Sequence, residues 1–473
     1  MHKLCLVCAV ALVSIASLAA KDEVSEPATR TVSGTQIGHY KNGPVPIDLS
    51  LVQIAALVPN GSGGYNVFTG TGTSAGTFTI PGVPSGFYLL QFGGNYLWTS
   101  NTTVDADFIA DYRSDIVLAN SSTTLTFDLV NLKSWQGTDV FEMVCPNNLT
   151  YDSYPGMTGE TSFTGTFNYF GSLSDASEGD QYYVAQLSTQ NVGGLPFTAL
   201  SRFLAPPKFT QAQGSDTPIN GSLKTVAQNN QFEANINGAD ILTQALAANP
   251  NATLAFSGIS LDVYPGSFAH GQNTDTPDLV LYGGVPTIST NGDLGVVSYG
   301  NPYPSAKFPL YASYEYAGQT PYLAPGATNT TSITTVAFGS TTNLPTASSA
   351  IEPLVSVVNS PSVMGLNFFT NHRGIGLTPS LKWSPPSVGP ATYYVVNIAQ
   401  LSNVGGNTVA TGIAAFRTQK TSLRIPPGLL STGQAYVFAI SAFYIPGLNF
   451  AKTPYYLGST TARADVISGM MQP

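Results

Sequence analysis

The stretch TPSLKWSPPSVGPATYYVVNIAQL, residues 378–401, shows how most of the chain is built. Trp383 is followed by two prolines and a glycine-containing turn, after which Tyr394, Val396 and Ile398 occupy alternate positions. Alternation with a period of two is typical of a half-buried strand, and proline and glycine mark turns. The stretch therefore predicts a strand, a turn and a second strand.

The same pattern recurs along most of the 473 residues, as short runs of Val, Ile, Thr, Tyr and Phe that end at Gly, Pro, Asn or Ser. The 47 glycines and 33 prolines are what antiparallel sheets with many turns require. We therefore expect an all-β protein of tandem Ig-like or fibronectin-like antiparallel β-sandwiches. One short helix is predicted in ADILTQALAANPN, residues 239–251, because its apolar residues have helical spacing and Pro250 stops them.

A second C-terminal stretch, TSLRIPPGLLSTGQAYVFAISAF at 421–443, continues the alternation. Together, residues 378–443 resemble a fibronectin type III domain. The resemblance implies a domain at 351–467, with Trp383 as the core tryptophan and the Tyr436 hydroxyl capping the turn before its strand. It does not imply binding to a cell receptor, because the sequence has no RGD tripeptide.

Another resemblance lies near the N-terminus, in GTFTIPGVPSGFYLLQFGG at 76–94. The spacing of glycine, aromatic and aliphatic residues is similar to the signature of the carboxypeptidase regulatory-like family, a small prealbumin-type β-sandwich. The matching residues are Gly76, Phe78, Ile80, Val83, Gly86 and Tyr88. The resemblance implies such a sandwich at 31–110 and an accessory role without activity of its own.

The middle region, 114–350, resembles no family. Its alternating runs TTLTFDLVNL (123–132), DQYYVAQLST (180–189) and DLVLYGG (278–284) predict one or two further sandwiches.

Residues 1–20 have the organisation of a signal peptide. Lys3 precedes an apolar run from Leu4 to Ile15, and a small-x-small cleavage signal follows that run. The run is shorter than the roughly 20 residues that a membrane span needs, and no second apolar segment follows. We expect an exported protein without a transmembrane span, in the periplasm, on the cell surface or in the extracellular space. Cleavage would leave Cys145 as the one thiol, which we expect to be a small buried hydrophobe.

The charge balance restricts the partners. Only 9% of the residues are charged, and 17 basic against 26 acidic residues give a net charge of −9. Nucleic acid attracts proteins with a basic stripe, so a nucleic-acid partner is not expected. Polysaccharide, other envelope or extracellular proteins, and further copies of this chain are the partners we consider.

One motif raises the question of catalysis. GTSAG at 72–76 fits the Gly-x-Ser-x-Gly pattern of the serine-hydrolase nucleophile elbow, with Ser74 as the nucleophile. That elbow needs a helix directly after the serine, whereas Phe78 and Ile80 alternate and predict a strand. A hairpin loop accommodates the same glycines, so we expect no catalytic role for Ser74.

Acidic strings are the candidate metal ligands. VDADFIADYRSD places Asp105, Asp107, Asp111 and Asp115 within one short segment, and calcium takes six to eight oxygen ligands of this kind. A second loop, SDASEGDQ, offers Asp175, Glu178 and Asp180. The sequence predicts solvated loops or, alternatively, a structural Ca²⁺ site, and it predicts no other cofactor.

Two tyrosines are candidate carbohydrate ligands. In YASYEYAGQTPY, residues 311–322, Tyr314 and Tyr316 share one face if the segment is a strand. An exposed tyrosine on a sheet can stack on a sugar ring, while the alternative is a core position. The histidines His39, His270 and His372 are isolated from one another and form no zinc motif.

The sequence therefore predicts an exported, non-catalytic envelope or extracellular scaffold or adhesion module, of the kind that bacteria export. The first alternative is a carbohydrate-binding protein that uses surface tyrosines. The second is an enzyme whose active site lies in the middle region.

Overall fold

The structure is a computed structural model that describes residues 28–110, 112–145, 150–154, 159–169, 171–263, 277–284, 286–303, 308–456 and 460–473. These ranges contain 35 strands, one α-helix and one 3₁₀ turn. The expected all-β class, with tandem antiparallel sandwiches and one short helix in the middle region, is confirmed.

We divide the strands into four units in chain order. The N-terminal unit contains β1 (Thr29–Thr35), β2 (Ile37–Tyr40), β3 (Gly43–Pro46), β4 (Ile54–Pro59), β5 (Tyr65–Thr69), β6 (Thr71–Gly72), β7 (Thr77–Pro84), β8 (Tyr88–Phe92), β9 (Asn95–Thr99), β10 (Thr103–Asp105) and β11 (Phe108–Ile109). The first middle unit contains β12 (Thr124–Val130), β13 (Val140–Cys145), β14 (Thr150–Tyr154), β15 (Ser162–Asn168), the 3₁₀ turn Ala176–Glu178, β16 (Tyr183–Val192), β17 (Leu195–Leu204), β18 (Asp216–Ser222) and β19 (Lys224–Thr225).

The remaining elements form two further units. The second middle unit contains β20 (Asn230–Asn237), α1 (Gly238–Leu246), β21 (Thr253–Val263), β22 (Asp278–Gly283), β23 (Asn291–Tyr299), β24 (Leu310–Tyr322) and β25 (Thr331–Thr341). The C-terminal unit contains β26 (Asn359–Val363), β27 (Leu366–Asn367), β28 (His372–Arg373), β29 (Ser380–Ser384), β30 (Tyr393–Val404), β31 (Asn407–Thr418), β32 (Ser422–Arg424), β33 (Ala435–Tyr444), β34 (Thr461–Ile467) and β35 (Met471–Gln472).

One hydrogen-bonded sheet runs through all four units. It contains 19 strands, and the path between units is set by three junctions. β17 joins β22, β25 joins β34, and β31 joins β9 in parallel. The N-terminal unit therefore lies beside the C-terminal unit, and the spatial order is first middle, second middle, C-terminal, N-terminal.

Smaller sheets cover this long sheet and close the hydrophobic cores. β12, β15 and β18 cover the first middle unit, and β26, β27, β29 and β32 cover the C-terminal unit. The long sheet is covered on both faces where the two middle units meet. Phe141 and Met143 of β13 face the core of the first middle unit. Ala185 and Leu187 of the neighbouring strand β16 face the core of the second middle unit. These two cores thus share a wall.

The single helix packs onto the long sheet. Ile241 and Ala245 of α1 are fully buried and face β24 and β25, as the helical spacing predicts. Gly238 begins the helix where a Cβ atom would lie 2.6 Å from the Ile288 carbonyl oxygen. The helix ends at Leu246, before the predicted limit, and Pro250 prevents its continuation further along the chain because Asn249 before it is disfavoured in the α conformation.

The two aromatic residues singled out at the C-terminus have the expected surroundings. Trp383 is buried and meets Tyr394 edge-on, with ring centroids 5.4 Å apart. The Tyr436 hydroxyl accepts a hydrogen bond from the backbone N–H of Ser431 at 2.9 Å, so it closes the turn before β33.

Candidate functional site

A groove crosses the outer face of the long sheet in the C-terminal unit. Its floor spans β25, β34, β33, β30, β31 and β9, and its cavity volume is about 460 Å³. Two packed patches flank the groove on this face. The loop that leads from β24 to β25 covers one side through Ala324, and the N-terminal unit covers Tyr393 and Val395 on the other.

Strand alternation leaves small side chains on the groove floor. On β33, Phe438 and Ile440 point into the core with Trp383, so Ala439 faces the opposite side. Asn397 pairs with Ala439 across the ladder and also lines the groove. Alanine or glycine occupies six of the seventeen positions that line the groove, so an approaching ligand can come close to the sheet there.

A charged pair lies in the floor. Arg463 and Asp465 are two residues apart on β34, and the guanidinium binds the carboxylate through Nε–Oδ1 at 2.7 Å and Nη2–Oδ2 at 2.8 Å. Asp465 also accepts the Val336 N–H at 3.0 Å, and its side chain is only 2% exposed against 38% for Arg463. Burial lowers the pKa of Arg463, but Asp465, Tyr393 and Glu315 together raise it by more, so the guanidinium stays charged.

The charges of this pair neutralise each other, while polar atoms remain on the groove wall. Within the ranges that the structure describes, no hydrogen bond engages the side-chain amides of Asn95 and Asn397 or Nη1 of Arg463. Amide and guanidinium groups are hydrogen-bond partners for hydroxyl and carbonyl oxygens. The groove therefore suits an uncharged ligand rich in such oxygens.

The two tyrosines chosen from the sequence lie elsewhere, and the prediction that they form an exposed platform is wrong. Tyr314 is 3% exposed and its hydroxyl accepts the Leu354 N–H, while Tyr316 is fully buried and donates to the Ile288 carbonyl at 2.8 Å. Burial raises the pKa of both hydroxyls. β24 is an interior strand that α1 covers, so its alternate residues face a core on either side.

The first acidic string is divided among separate contacts. Asp107 Oδ1 accepts hydrogen bonds from the Thr35 hydroxyl at 2.9 Å and the Ile37 N–H at 2.8 Å, and its Oδ2 lies 3.2 Å from Nε2 of His39. Asp105 accepts the N–H of Asp107 at 2.9 Å. These two carboxylates therefore fix the loop between β10 and β11.

The rest of the string and the second acidic loop meet at an arginine. Arg113 binds Asp115 at 2.7 Å and forms a bidentate pair with Asp180 at 3.2 and 2.9 Å. Asp175 accepts the Ser177 N–H and caps the 3₁₀ turn. Asp111 lies outside the described residues, and no group of three acidic, histidine or cysteine residues inside them could hold a metal ion. The expected calcium ligands are thus not brought together within the described ranges.

The remaining candidates take structural positions. Ser74 is exposed in the turn between β6 and β7, and the strand that follows it confirms the hairpin expectation. Cys145 is fully buried at the end of β13, as predicted. His270 lies outside the described residues. Among the described helices, none is long and apolar enough to span a membrane.

Sequence reasoning missed Arg463 and Asp465. The signal was present in TARADVI, residues 461–467, where both charges alternate with small and apolar residues. That alternation places the pair on one face of a strand, but only the assembled sheet shows that this face is uncovered.

No protein-family model matches the chain, and no curated protein matches it. Solved structures that align with it include one described as "Structural basis for Dscam isoform specificity", at 8% identity and a TM-score of 0.13, covering 94% of this chain and 100% of that one. Another, "Crystal structure of Dscam1 isoform 1.9, N-terminal four Ig domains", aligns at 8% identity and a TM-score of 0.12, covering 94% and 98%. TM-scores this low do not establish a shared arrangement of domains.

Proposed function

We propose that this chain is an exported, non-catalytic scaffold or adhesion protein of the cell envelope or the extracellular space. The observation that carries the proposal is the sheet that continues through all four units. Strand pairing between units replaces the flexible linkers expected of independent domains. Load applied to one unit would pass to the next through backbone hydrogen bonds.

The resemblances noted in the sequence fit this proposal. We propose a fibronectin type III fold for the C-terminal unit, supported by the buried Trp383 and the Tyr436 contact, and a carboxypeptidase regulatory-like sandwich for the N-terminal unit. The N-terminal resemblance implies an accessory role without activity of its own, which agrees with a non-catalytic protein. Export rests on the signal-peptide pattern of residues 1–20, which lie outside the described ranges.

The junction between β31 and β9 offers a test. The N–H of Ala415 donates to the Gly94 carbonyl at 2.9 Å, across the two units. Ala415→Pro removes this donor, so we expect earlier unfolding of the N-terminal unit and loss of hydrogen-exchange protection in β8 and β9. A single lost hydrogen bond is worth about 1 kcal/mol, and the proline ring adds a steric cost against β9.

Ala410→Pro is the matched control. Ala410 lies on the same strand, two residues after Thr408, whose N–H points away from β30. The N–H of Ala410 therefore also points away from β30. Ala410 lies outside the residues that pair with β9. We expect the control to leave the junction protected. Equal effects of the two prolines, or independent melting of the N-terminal unit in the unaltered protein, would contradict a continuous scaffold.

Carbohydrate binding is the second candidate function, and the groove is the observation that favours it. The mutually neutralised Arg463–Asp465 pair and the amides of Asn95 and Asn397 suit a saccharide better than the buried tyrosines do. The test is depletion of the protein by a panel of insoluble polysaccharides, with soluble sugar measured in the same samples. We expect Ala439→Trp, which fills the groove, to abolish any depletion, and Val409→Trp, exposed on β31 outside the groove, to preserve it.

The outcomes separate three functions. Depletion that Ala439→Trp abolishes supports carbohydrate binding, and absence of depletion rejects that candidate. Release of soluble sugar would indicate an enzyme and would overturn the non-catalytic proposal.

A further inference from the structure

A second cavity, separate from the groove, lies where the two middle units meet. Its volume is about 400 Å³. Lys133 and Arg202 line it from the first middle unit, and Ser298 of β23 lines it from the second. None of the described residues that line it is an aspartate or a glutamate. We call it the basic cavity.

The backbone of Lys133 is held at the wall of the basic cavity by Gln186. The Gln186 side chain accepts the Lys133 N–H at 2.8 Å and donates to the Lys133 carbonyl at 2.9 Å. Two residues earlier, Asn131 has a φ of 65°, a left-handed conformation that asparagine tolerates. The chain therefore turns directly after β12, and the turn brings Lys133 to the cavity as an exposed residue.

Arg202 contacts the same turn. Its Nε donates to the Asn131 carbonyl at 3.0 Å, and its Nη1 donates to the Ser201 carbonyl at 3.3 Å. Within the described ranges, no hydrogen bond or ion pair engages Nη2 of Arg202 or Nζ of Lys133. Two positively charged groups thus keep hydrogen-bond donors beside one cavity and have no carboxylate partner there.

The carboxylate that Gln186 also contacts is used elsewhere. Asp139 Oδ2 accepts a hydrogen bond from Gln186 Nε2 at 3.0 Å, and its Oδ1 accepts the N–H and the hydroxyl of Thr189, each at 2.7 Å. Asp139 is 9% exposed and does not line the basic cavity. It therefore does not take the place of an ion-pair partner for Lys133 or Arg202.

Hydroxyl groups from both middle units complete the lining. Thr225 of β19 and Ser298 of β23 have hydroxyls that no described hydrogen bond uses. The Gln190 side chain donates to the Ser298 carbonyl and accepts the Ser298 N–H at 3.1 Å, so it fixes the wall that joins the two units. The basic cavity therefore offers donors of both kinds, charged and neutral.

We propose that the basic cavity binds a tetrahedral oxyanion, sulfate or phosphate, either as the free ion or as an ester group on a polysaccharide. Guanidinium groups bind such anions through paired N–H donors, and an ammonium group adds a compact charge. Two cations beside one cavity repel each other, and an anion between them replaces that repulsion by attraction. Because the walls come from two units, the bound anion holds those units together. The site does not rest on the proposed scaffold function.

Thermal unfolding of the full chain in sodium sulfate tests the site. Sodium chloride keeps the ionic strength constant, so that screening is the same at every sulfate concentration. A ligand that binds the folded protein raises Tm by mass action. We expect Tm to rise and to saturate in the millimolar range, and we expect hydrogen exchange to slow in residues 131–133 and 225–228.

Two variants each remove one positive charge from the cavity, Lys133→Gln and Arg202→Gln. Loss of one charge-assisted contact should weaken sulfate binding about tenfold or more. Lys382→Gln, exposed on β29 of the C-terminal unit, removes the same charge outside the cavity and should bind sulfate like the unaltered protein. If Arg202→Gln does not fold, Lys133→Gln decides, because its exposed side chain has no described partner to lose.

A rise in Tm of equal size in all variants would overturn the site, because sulfate also stabilises proteins by exclusion from their surface. Absence of any rise in the unaltered protein would overturn it as well. Immobilised dextran sulfate, with plain dextran as its control, separates the two sources of the anion. Retention on dextran sulfate that free sulfate releases and Lys133→Gln weakens supports an ester on a polysaccharide, whereas saturable sulfate binding without retention supports the free ion.

Discussion

At single positions, burial decides what each tyrosine can do. Tyr314 and Tyr316 alternate as the sequence requires, yet both hydroxyls bond to backbone groups inside the protein. Tyr436 uses its hydroxyl in the same way, to hold the turn at Ser431. These three tyrosines thus tie a core to a backbone segment and offer no surface for a ligand.

Tyr436→Phe should measure the contribution of one such hydrogen bond to stability. The ring stays in place and the hydrogen bond from the Ser431 N–H is lost, so we expect the free energy of unfolding to fall by about 1 kcal/mol. Chemical denaturation gives this value. Tyr394→Phe is the control, because Tyr394 is equally buried but no described hydrogen bond uses its hydroxyl, and it should change the stability little. Equal losses would argue against the tie.

At the level of elements, the apolar spacing in the sequence of α1 agrees with the way the helix packs in the structure. The helix was expected from its apolar spacing, and the residues that define that spacing bury against β24. Its apolar face is the reason a short helix persists among strands, since a nine-residue helix has little stability of its own.

Shortening a buried and an exposed side chain of α1 to alanine should show whether the helix is stabilised by packing against the core or by its own helix propensity. Ile241 is fully buried and Leu246 is 38% exposed. We expect Ile241→Ala to lower the free energy of unfolding by about 2–5 kcal/mol, through lost burial and the cavity left behind. Leu246→Ala should cost less than about 1 kcal/mol, and denaturant titration of the two variants compares them. Similar costs would mean that the helix does not owe its stability to the core.

At the scale of the whole molecule, the chain returns on itself. The N-terminal unit pairs with the C-terminal unit through β9 and β31, while the segment after β11 reaches the first middle unit through Arg113 and Asp180. Asn42, on the β2–β3 turn, hydrogen bonds to Ser114 beside that arginine. Units at both ends of the array are therefore tied, which agrees with a supporting role.

The groove arises at this largest scale. Arg463 and Asp465 could be placed on one strand face from their spacing, but the uncovered floor exists only because strands from three units assemble beside them.

The sequence by itself determined the β class, the short helix, the GTSAG hairpin and the buried thiol, because each depends on side-chain periodicity and turn chemistry over a few residues. Tertiary structure alone decided that Tyr314 and Tyr316 are buried, that the acidic strings fix loops and bind Arg113, and that strands 95–97 and 415–417 pair. Those outcomes depend on which faces and edges meet. Backbone hydrogen bonding between strands is nearly independent of side-chain identity, so the sequence specifies the strands far better than it specifies their partners.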